Sequence, residues 1–277
     1  MARGASQGID DTEYRQAIRL RRNVYMACAP AKLNITLRIG ALQHDGMHSI
    51  TSIMQAVSLC DLVVLRRTNA ANRHVEGRAI SQNIVLKAIG ELEAHVGMRL
   101  RCEIDVHKSI PLGAGMGGGS SDAAATLRLA NTAFGLGMGV EELAEVAGRV
   151  GSDVPFLVYG GRAMVRGSAV QTIRQMRAPR LFYAIATPAM ELSTAAMYAL
   201  HDKTGKEFTE LASELCPDTW RLLRSAKRAA PVECGVTGKG PTVFASFRSY
   251  ERCAALAESW RSPKRLVSIA HSIGRFV

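Results

Sequence analysis

Alternation of polar and apolar residues predicts two strands of the chain. From Leu100 to His107 every second side chain is apolar and the others are charged or polar, and a shorter alternation runs from Asn34 to Ile39. A period of two is typical of a strand that buries one face. We therefore predict strands in both segments, with the charged side chains of the first, Asp105 among them, facing outward.

Apolar residues at helical spacing predict helices between and after these strands. One apolar stripe predicts a helix that ends near Gly97, and a second helix is predicted over residues 140–150. The first stripe consists of Val85, Ile89, Leu92 and Val96.

The pattern restarts after Gly161 with strands and helices in mixed order. The predicted strands cover residues 181–186, 242–247 and 266–270, and the predicted helices cover residues 194–201, 208–226 and 250–260. Because few strand–helix–strand repeats occur, the order favours an α+β fold over a doubly wound parallel sheet.

The same patterning divides the chain into an extension and two lobes. Residues 1–25 are polar and charged and lack the regularity of the next segment, so we predict an N-terminal extension, disordered by expectation. The first lobe is predicted over residues 26–165 and the second over residues 166–277.

The segment Pro111–Ala125 is the strongest single indication of function. Five glycines lead into two serines and an alanine-rich stretch with strong helix propensity. Glycines let main-chain N–H groups approach a ligand closely, and a helix start presents unpaired N–H groups at the positive end of its dipole. The pattern predicts a phosphate-binding loop. An ordinary glycine-rich loop with Ser120 or Ser121 as helix N-cap is the alternative.

Composition narrows the class of protein. The chain has 277 residues, of which 47% are hydrophobic, but it has no apolar run of roughly 20 residues and no signal-like start, so we expect a cytoplasmic protein that binds no membrane. Its net charge of +11 is spread along the chain and only 5% of residues are aromatic, which favours an anionic small-molecule ligand over nucleic acid. Cysteines and histidines show no metal-ligand spacing, so we expect any metal to arrive with a nucleotide.

Two common nucleotide-binding motifs do not fit the chain. The run Gly235-Val-Thr-Gly-Lys-Gly240 is close to a Walker A loop, but Lys239 is followed by glycine instead of Ser or Thr, and the next predicted element is a strand. A dinucleotide fingerprint within Gly113–Gly118 lacks the acidic residue expected about 20 residues later. Both familiar nucleotide-binding folds are therefore disfavoured.

Four motifs in order resemble those of the GHMP kinase superfamily. They are Ala29-Pro-Ala-Lys-Leu-Asn-Ile35, the loop Pro111–Ala125, Gly151-Ser-Asp-Val-Pro-Phe156 and Gly235-Val-Thr-Gly-Lys-Gly-Pro-Thr-Val-Phe244. The resemblance covers the chain from Ala27 to Phe247. It implies an α+β, two-lobed fold with mixed or antiparallel sheets and helices, an active site in the cleft between the lobes, and ATP with Mg²⁺ as the phosphoryl donor.

Three details narrow the resemblance within the superfamily. They are Asp45-Gly-Met-His48 after the first motif, the GGGSSDAA spelling of the loop, and Gly160-Gly161 after the third motif. They imply transfer of phosphate to the 2-hydroxyl of cytidyl diphosphate methylerythritol, a small-molecule substrate on the methylerythritol phosphate route to isoprenoids. Another small-alcohol kinase, of mevalonate or homoserine type, and a catalytically silent nucleotide-binding regulator are the alternatives. We expect a monomer or a weak homodimer.

The resemblance implies that Asp153 and Lys32 are the catalytic pair. Asp153 matches the general base that accepts the proton of the attacking hydroxyl, and Lys32 matches the cation that keeps this carboxylate ionised and steadies the transferring group. Taken alone, an Asp before Val154 and Pro155 could also be a turn residue.

The resemblance also assigns the ATP site. The expected contacts are Pro111, Gly113, Gly115, Gly117, Gly118, Gly119, Ser120 and Ser121 at the phosphates, and Asn83 and Lys108 near the adenosine. Ser121 is in addition a candidate Mg²⁺ ligand, while Asp122 fits either metal binding or stabilisation of the helix start.

The acceptor is expected to contact residues of both lobes. The implied residues are Asn34, Met47, His48, Thr194, Tyr198, Gly238 and Lys239. His48 would hydrogen-bond the cytosine edge and Tyr198 would stack on the base, although an aromatic residue at helical spacing is more often part of a core. Met47 stands where Tyr is usual, which removes a stacking ring, and Lys239 stands where Ser is usual, directed at a phosphate or at solvent.

Overall fold

The computed structural model describes residues 17–43, 46–69, 74–76, 79–168 and 171–276, with side chains described for all of these except residues 74–76, 79–83 and 171. Within them lie two β-sheets flanked by helices. The α+β class expected from the mixed order of elements is thereby confirmed.

A seven-stranded sheet forms the first lobe. Two long strands, β2 and β3, pair antiparallel at its centre, β1 adds to β2, β5 adds to β3, and β4 runs parallel to β5. The β6–β7 hairpin pairs with the first part of β3. The strands are β1 (Ile18–Arg21), β2 (Val24–Leu42), β3 (His48–Arg67), β4 (His74–Glu76), β5 (Cys102–His107), β6 (Arg162–Gly167) and β7 (Gln171–Met176).

Part of the predicted N-terminal extension belongs to this sheet. Ile18 pairs with Met26 across a tight turn in which Asn23 has a φ of 63°, and Tyr25 is buried in the core of the first lobe. The prediction of an extension over residues 1–25 is therefore wrong for residues 18–25. These residues form β1, a turn and the first two residues of β2. Residues 1–16 lie outside the described residues.

A four-stranded antiparallel sheet forms the second lobe, in the order β11-β8-β10-β9. Its strands are β8 (Phe182–Pro188), β9 (Glu233–Val236), β10 (Val243–Phe247) and β11 (Arg265–His271). Since β6 and β7 remain on the first sheet, the chain changes sheets between Met176 and Phe182, later than the predicted boundary at residue 165.

Eight helices lie among the described residues. They are α1 (Ala79–Val96), α2 (Gly118–Phe134), α3 (Val140–Val150), α4 (Val154–Tyr159), α5 (Thr194–Thr204), α6 (Phe208–Leu215), α7 (Pro217–Arg228) and α8 (Tyr250–Trp260). Within the described part of the chain, no helix is long and apolar enough to cross a membrane.

Two local predictions are wrong, each for a visible reason. The single helix predicted over residues 208–226 is broken into α6 and α7 at Cys216, whose extended backbone precedes Pro217, a residue that cannot continue a helix from the preceding turn. Asp105, predicted to face outward, is buried because its carboxylate bonds the Arg66 guanidinium on the neighbouring strand β3.

Three apolar clusters hold the molecule together. One fills the first lobe around α2, and a second lies between the second sheet and its helices. The third cluster joins the lobes, with Leu33 and Met116 from the first packing against Tyr183 and Phe244 from the second. This shared core fixes the cleft in which the motif residues meet.

Candidate active site

The cleft contains three adjoining cavities. The loop cavity, of about 260 Å³, follows the glycine-rich loop; the central chamber, of about 250 Å³, holds Lys32 and Asp153; the His48 cavity, of about 400 Å³, lies beyond it. Gly115 and Gly117 border both the loop cavity and the chamber, whereas Thr194 and Tyr198 border both the chamber and the His48 cavity. The cavities therefore follow one another along the cleft.

The glycine-rich loop enters helix α2 through a left-handed residue. Gly117 is the N-cap, with φ 69° and ψ 24° and no side-chain capping bond, so neither Ser120 nor Ser121 caps the helix as the alternative reading required. The N–H groups of the first turn have no acceptor within the helix. The residues of this first turn border the loop cavity, and so does the earlier part of the loop. The predicted phosphate contacts that border this cavity are Pro111, Gly113, Gly115, Gly117, Gly118, Gly119 and Ser120.

Position 115 has no room for a side chain. Its φ is +74°, and a Cβ atom there would lie 2.4 Å from the Thr237 carbonyl oxygen of the second lobe. The loop is also tied to β2, because the Lys32 N–H donates to the Met116 carbonyl at 3.0 Å. Both lobes thus hold the loop in place.

Ser121, expected as a magnesium ligand, does not face the loop cavity. Its side chain is fully buried, and its hydroxyl donates to the Pro30 carbonyl oxygen at 2.7 Å. The reason is helical geometry: one turn into α2, Ser121 is directed at strand β2 and not along the loop. Among the described residues, no group of three or more His, Cys, Asp and Glu side chains is placed to hold a metal ion.

Lys108 borders the loop cavity and is anchored by two buried carboxylates. Its Nζ donates to Asp122 Oδ2 at 2.7 Å and also to Asp61 Oδ2. Asp61 Oδ1 accepts in addition from the N–H groups of Ser109 and Ile110, at 2.6 and 2.8 Å. Asp61 therefore holds the backbone where the glycine-rich loop begins.

The two carboxylates are not equivalent. Burial raises the pKa of Asp122 to about 7, against the opposing effect of the Lys108 charge. Asp122 Oδ1 is buried without a partner in the described structure, whereas both oxygens of Asp61 accept hydrogen bonds. Asp122 is thus neither exposed to the loop cavity nor a cap of α2. Asn83, the other residue expected near the adenosine, lies in α1, but its side chain is outside the described residues.

Lys32 and Asp153 meet in the central chamber. Lys32 Nζ lies 3.4 Å from Asp153 Oδ2, with 5% of the lysine side chain and 26% of the aspartate side chain exposed. Asp153 precedes α4 but makes no capping bond with its side chain, so the carboxylate is not used to start the helix. Asp153 borders the central chamber, a placement that a turn residue does not require.

Asn34 orients Lys32 and links the lobes. Its Oδ1 accepts from Lys32 Nζ at 2.5 Å and from the Gly238 N–H at 2.9 Å, while its Nδ2 donates to Ser52 Oγ at 2.8 Å. Asn34 borders the chamber, as expected of an acceptor contact, but its side-chain amide is already engaged on both sides. Its clearest role in the structure is to position the lysine.

Lys239 and Gly238 reach the same region from the second lobe. Both border the central chamber, and Lys239 also borders the loop cavity. The Lys239 ammonium donates to the Leu192 carbonyl, so it is directed neither at open solvent nor away from the site.

The His48 cavity collects the remaining predicted acceptor residues. Met47, His48, Thr194 and Tyr198 all border it, brought together from β3, its preceding loop and α5. The His48 ring stacks on the Tyr198 ring with centroids 5.2 Å apart and planes 15° apart. Burial raises the pKa of the Tyr198 phenol, helped by the charge of Asp153. Tyr198 is thus part-buried: it lines the cavity and also packs against the core of the second lobe.

Sequence reasoning missed several residues of the site. Asp61 and Thr237 act through partners far along the chain, and Asp202 enters the His48 cavity one turn after Tyr198 on α5. The i, i+4 spacing of Tyr198 and Asp202 is the only local signal that could have found the last of these.

Known proteins resemble this chain in sequence and in fold. Residues 83–161 match the family described as GHMP kinases N terminal domain. The chain is 31% identical to 4-diphosphocytidyl-2-C-methyl-D-erythritol kinase of Exiguobacterium sibiricum, over 89% of this chain and 97% of that protein.

Two solved structures share the fold. The crystal structure of a 4-(cytidine 5'-diphospho)-2C-methyl-D-erythritol kinase superposes with a TM-score of 0.76 at 22% identity, covering 90% of this chain and 99% of that one. Homoserine kinase from Cytophaga hutchinsonii superposes with a TM-score of 0.74 at 18% identity, covering 93% and 97%. At these identities the likeness concerns the fold alone.

The two-lobed fold and the glycine-rich loop at its cleft define a kinase of the GHMP class. The 31% identity with the Exiguobacterium sibiricum enzyme, over 97% of that protein, narrows the assignment to one family within this class. The chain belongs to the 4-diphosphocytidyl-2-C-methyl-D-erythritol kinase family.

Proposed function

We propose that this protein transfers the γ-phosphoryl group of ATP, bound as its magnesium complex, to the 2-hydroxyl of 4-diphosphocytidyl-2-C-methyl-D-erythritol. The observation that carries the proposal is the Lys32–Asp153 pair in the chamber between the loop cavity and the His48 cavity. ATP bound at the glycine-rich loop would extend its γ-phosphate to this pair. The acceptor, with its cytosine ring at His48, would extend its 2-hydroxyl to the same pair.

Asp153 acts as the general base. It accepts the proton of the 2-hydroxyl while the hydroxyl oxygen bonds to the γ-phosphorus and the bond from that phosphorus to the β-phosphate oxygen breaks, which leaves ADP. Lys32 keeps the Asp153 carboxylate ionised and stabilises charge on the transferring group. Transfer is direct and in line, with no covalent phosphoenzyme.

The glycine-rich loop binds the donor. The unpaired N–H groups of Gly118–Ser120 and the positive end of the α2 dipole suit phosphate oxygens, and the Lys108 ammonium borders the same cavity. Magnesium carried by the nucleotide would neutralise phosphate charge.

Substitution of the base tests the mechanism. In an assay with ATP, Mg²⁺ and the cytidyl substrate, Asp153→Asn should lower kcat about 100- to 10,000-fold, because an amide cannot accept the proton. Asp218→Asn is the matched control, since that carboxylate pairs with Arg265 and borders none of the three cavities.

The outcomes separate the parts of the proposal. Wild-type protein that phosphorylates mevalonate or homoserine but not the cytidyl substrate would contradict the proposed acceptor. No transfer to any of the three, with ATP still bound, would favour the silent regulator. An unimpaired Asp153→Asn enzyme would remove only the proposed base.

The His48 cavity favours the cytidyl substrate over smaller acceptors. Homoserine and mevalonate carry no base, so either would leave this cavity of about 400 Å³ unfilled. A cytoplasmic location and a monomeric or weakly dimeric state stay predictions from the sequence.

A further inference from the structure

Lys239 lies where the loop cavity meets the central chamber. Among the described residues, three border both of these cavities: Gly115, Gly117 and Lys239. The two glycines offer only backbone groups, so Lys239 supplies the charged side chain of this boundary. Lys239 does not border the His48 cavity, which puts it on the side of the chamber that adjoins the loop cavity.

The Lys239 ammonium has N–H groups to spare. It donates to the Leu192 carbonyl oxygen, and a lysine ammonium carries three N–H donors. Within the described part of the chain it has no further hydrogen-bond acceptor and no carboxylate as an ion-pair partner. Two donors and the full charge are therefore left for a ligand.

The other two lysines of the site are already paired. Lys108 donates to two buried aspartates, and Lys32 Nζ lies 3.4 Å from Asp153 Oδ2. A carboxylate beside an ammonium offsets much of the field that the ammonium exerts on a third charged group. Since no carboxylate of the described residues pairs with Lys239, its field on an anion at the boundary is not offset in this way.

We infer that Lys239 is a catalytic residue that binds the γ-phosphoryl group of the donor and stabilises the negative charge on that group during its transfer. The inference rests on the proposed function for the direction of transfer, from the loop cavity into the chamber. Lys239 borders the boundary that the group crosses, and its two remaining N–H groups suit phosphoryl oxygens. Charge-assisted hydrogen bonds at this point stabilise the charge that develops in the transition state. The serine that is usual at this position in the GHMP kinase superfamily would supply a hydroxyl without the charge.

Binding of two nucleotides tests the contact without turnover. Calorimetric titration in the presence of Mg²⁺ compares ADP with the non-hydrolysable ATP analogue AMP-PNP, which carries a γ-phosphoryl group. Lys239→Gln should lower the AMP-PNP-to-ADP affinity ratio about 10- to 100-fold, because the amide can still donate to Leu192 but carries no charge. Lys239→Arg keeps the charge and should retain most of the ratio. An unchanged ratio in Lys239→Gln would overturn the inference.

Lys87 offers a matched control. Its ammonium likewise donates to one carbonyl oxygen, that of Val150 at 2.9 Å, and it borders none of the three cavities. Lys87→Gln should leave the ratio at its wild-type value. Lys239→Gln should bind ADP and unfold at the wild-type temperature. If it instead loses stability and ADP affinity together with the ratio, Lys239 acts only by holding the backbone at Leu192, and the inference fails.

Kinetics distinguish failure of the inference from failure of the proposed function. With the cytidyl substrate, Lys239→Gln should lower kcat about 100-fold and change the acceptor KM by less than about 3-fold, because the lost contact is made to the transferring group. A wild-type kcat with a raised acceptor KM would place Lys239 on the diphosphate of the acceptor and contradict the inference alone. Wild-type protein that transfers nothing, yet depends on Lys239 for its AMP-PNP-to-ADP ratio, would contradict the proposed function alone.

Discussion

At the scale of single residues, buried charge is concentrated beside the glycine-rich loop. Lys108 lies between Asp61 and Asp122, with both aspartate side chains fully buried and the lysine side chain 10% exposed. One cation cannot fully compensate two carboxylates in a medium of low dielectric, and Asp61 has the better set of donors. Asp122 therefore keeps a proton to a higher pH than an ordinary aspartate.

This protonation makes stability depend on pH. The pKa of Asp122 is about 7 in the folded protein, above its ordinary value, so its contribution to the free energy of unfolding is present in acid and is lost as the pH rises toward 7. Asp122→Asn cannot ionise. Relative to wild type, the variant should therefore gain stability between about pH 4 and pH 7, by up to about 1.4 kcal/mol per pH unit.

Urea unfolding of both proteins across this range measures the effect. Asp218→Asn is the control, because Arg265 lowers the pKa of Asp218 and its stabilising ionisation is complete in both states above pH 5 or so. The Asp218 variant should differ from wild type by a constant amount over most of the range. Parallel pH profiles for wild type and Asp122→Asn would contradict the assigned pKa.

At the scale of elements, the strand β5, the glycine-rich loop and helix α2 form one unit. Asp61 on β3 holds the start of the loop, Lys32 on β2 holds its middle, and Gly117 turns it into the helix. Contacts from two central strands hold the loop along the cavity that its glycines border. Phosphate binding then requires little further ordering of the backbone.

Alanine substitutions at two glycines distinguish the cost of backbone strain from the cost of a collision between the glycine-rich loop and the second lobe. Gly115 and Gly137 both have positive φ, but only a Cβ at Gly115 would collide, with the Thr237 carbonyl, whereas nothing lies within 4 Å of one at Gly137. Gly137→Ala should cost about 1–2 kcal/mol of stability and leave MgATP binding unchanged. Gly115→Ala should cost more and also raise KM for ATP. Equal costs in thermal unfolding, with equal KM values, would show that the loop contact has no role.

At the scale of the whole molecule, the lobes are joined by an ion pair as well as through the shared core. Arg162 of the first sheet donates from Nη2 to Glu233 Oε1 of the second sheet at 2.7 Å, and the Tyr183 hydroxyl donates to Glu233 Oε2 at 3.3 Å. Burial and the charge of Glu233 raise the pKa of the Tyr183 phenol. This largely buried pair fixes one lobe against the other.

Removing one partner of the pair should cost more than removing both. Glu233→Gln leaves the Arg162 charge buried without its carboxylate, which should lower the free energy of unfolding by about 3 kcal/mol. The double variant with Arg162→Met should recover part of this loss, because no uncompensated charge remains. A double-mutant cycle in urea unfolding measures the coupling. Additive single effects would indicate that the pair does not connect the lobes.

The sequence by itself determined the local elements and the chemistry of the main motifs. The periodicities that predict α3 and α8 depend only on neighbours within a few turns, and the motif residues Lys32 and Asp153 are recognisable one by one. At Pro217 the prediction of one continuous helix is wrong for a reason that the sequence itself contains, because proline starts a new helix there.

The tertiary structure alone decided which of these residues meet. Asn34 bonds Gly238 across a separation of 204 residues, Lys108 finds Asp61 across 47, and Asp202 reaches His48 from another lobe. No periodicity within one element specifies such partners, because they depend on how two sheets pack around a shared core. The same packing turned Ser121 toward β2, drew residues 18–25 into the first sheet and placed three cavities in one cleft.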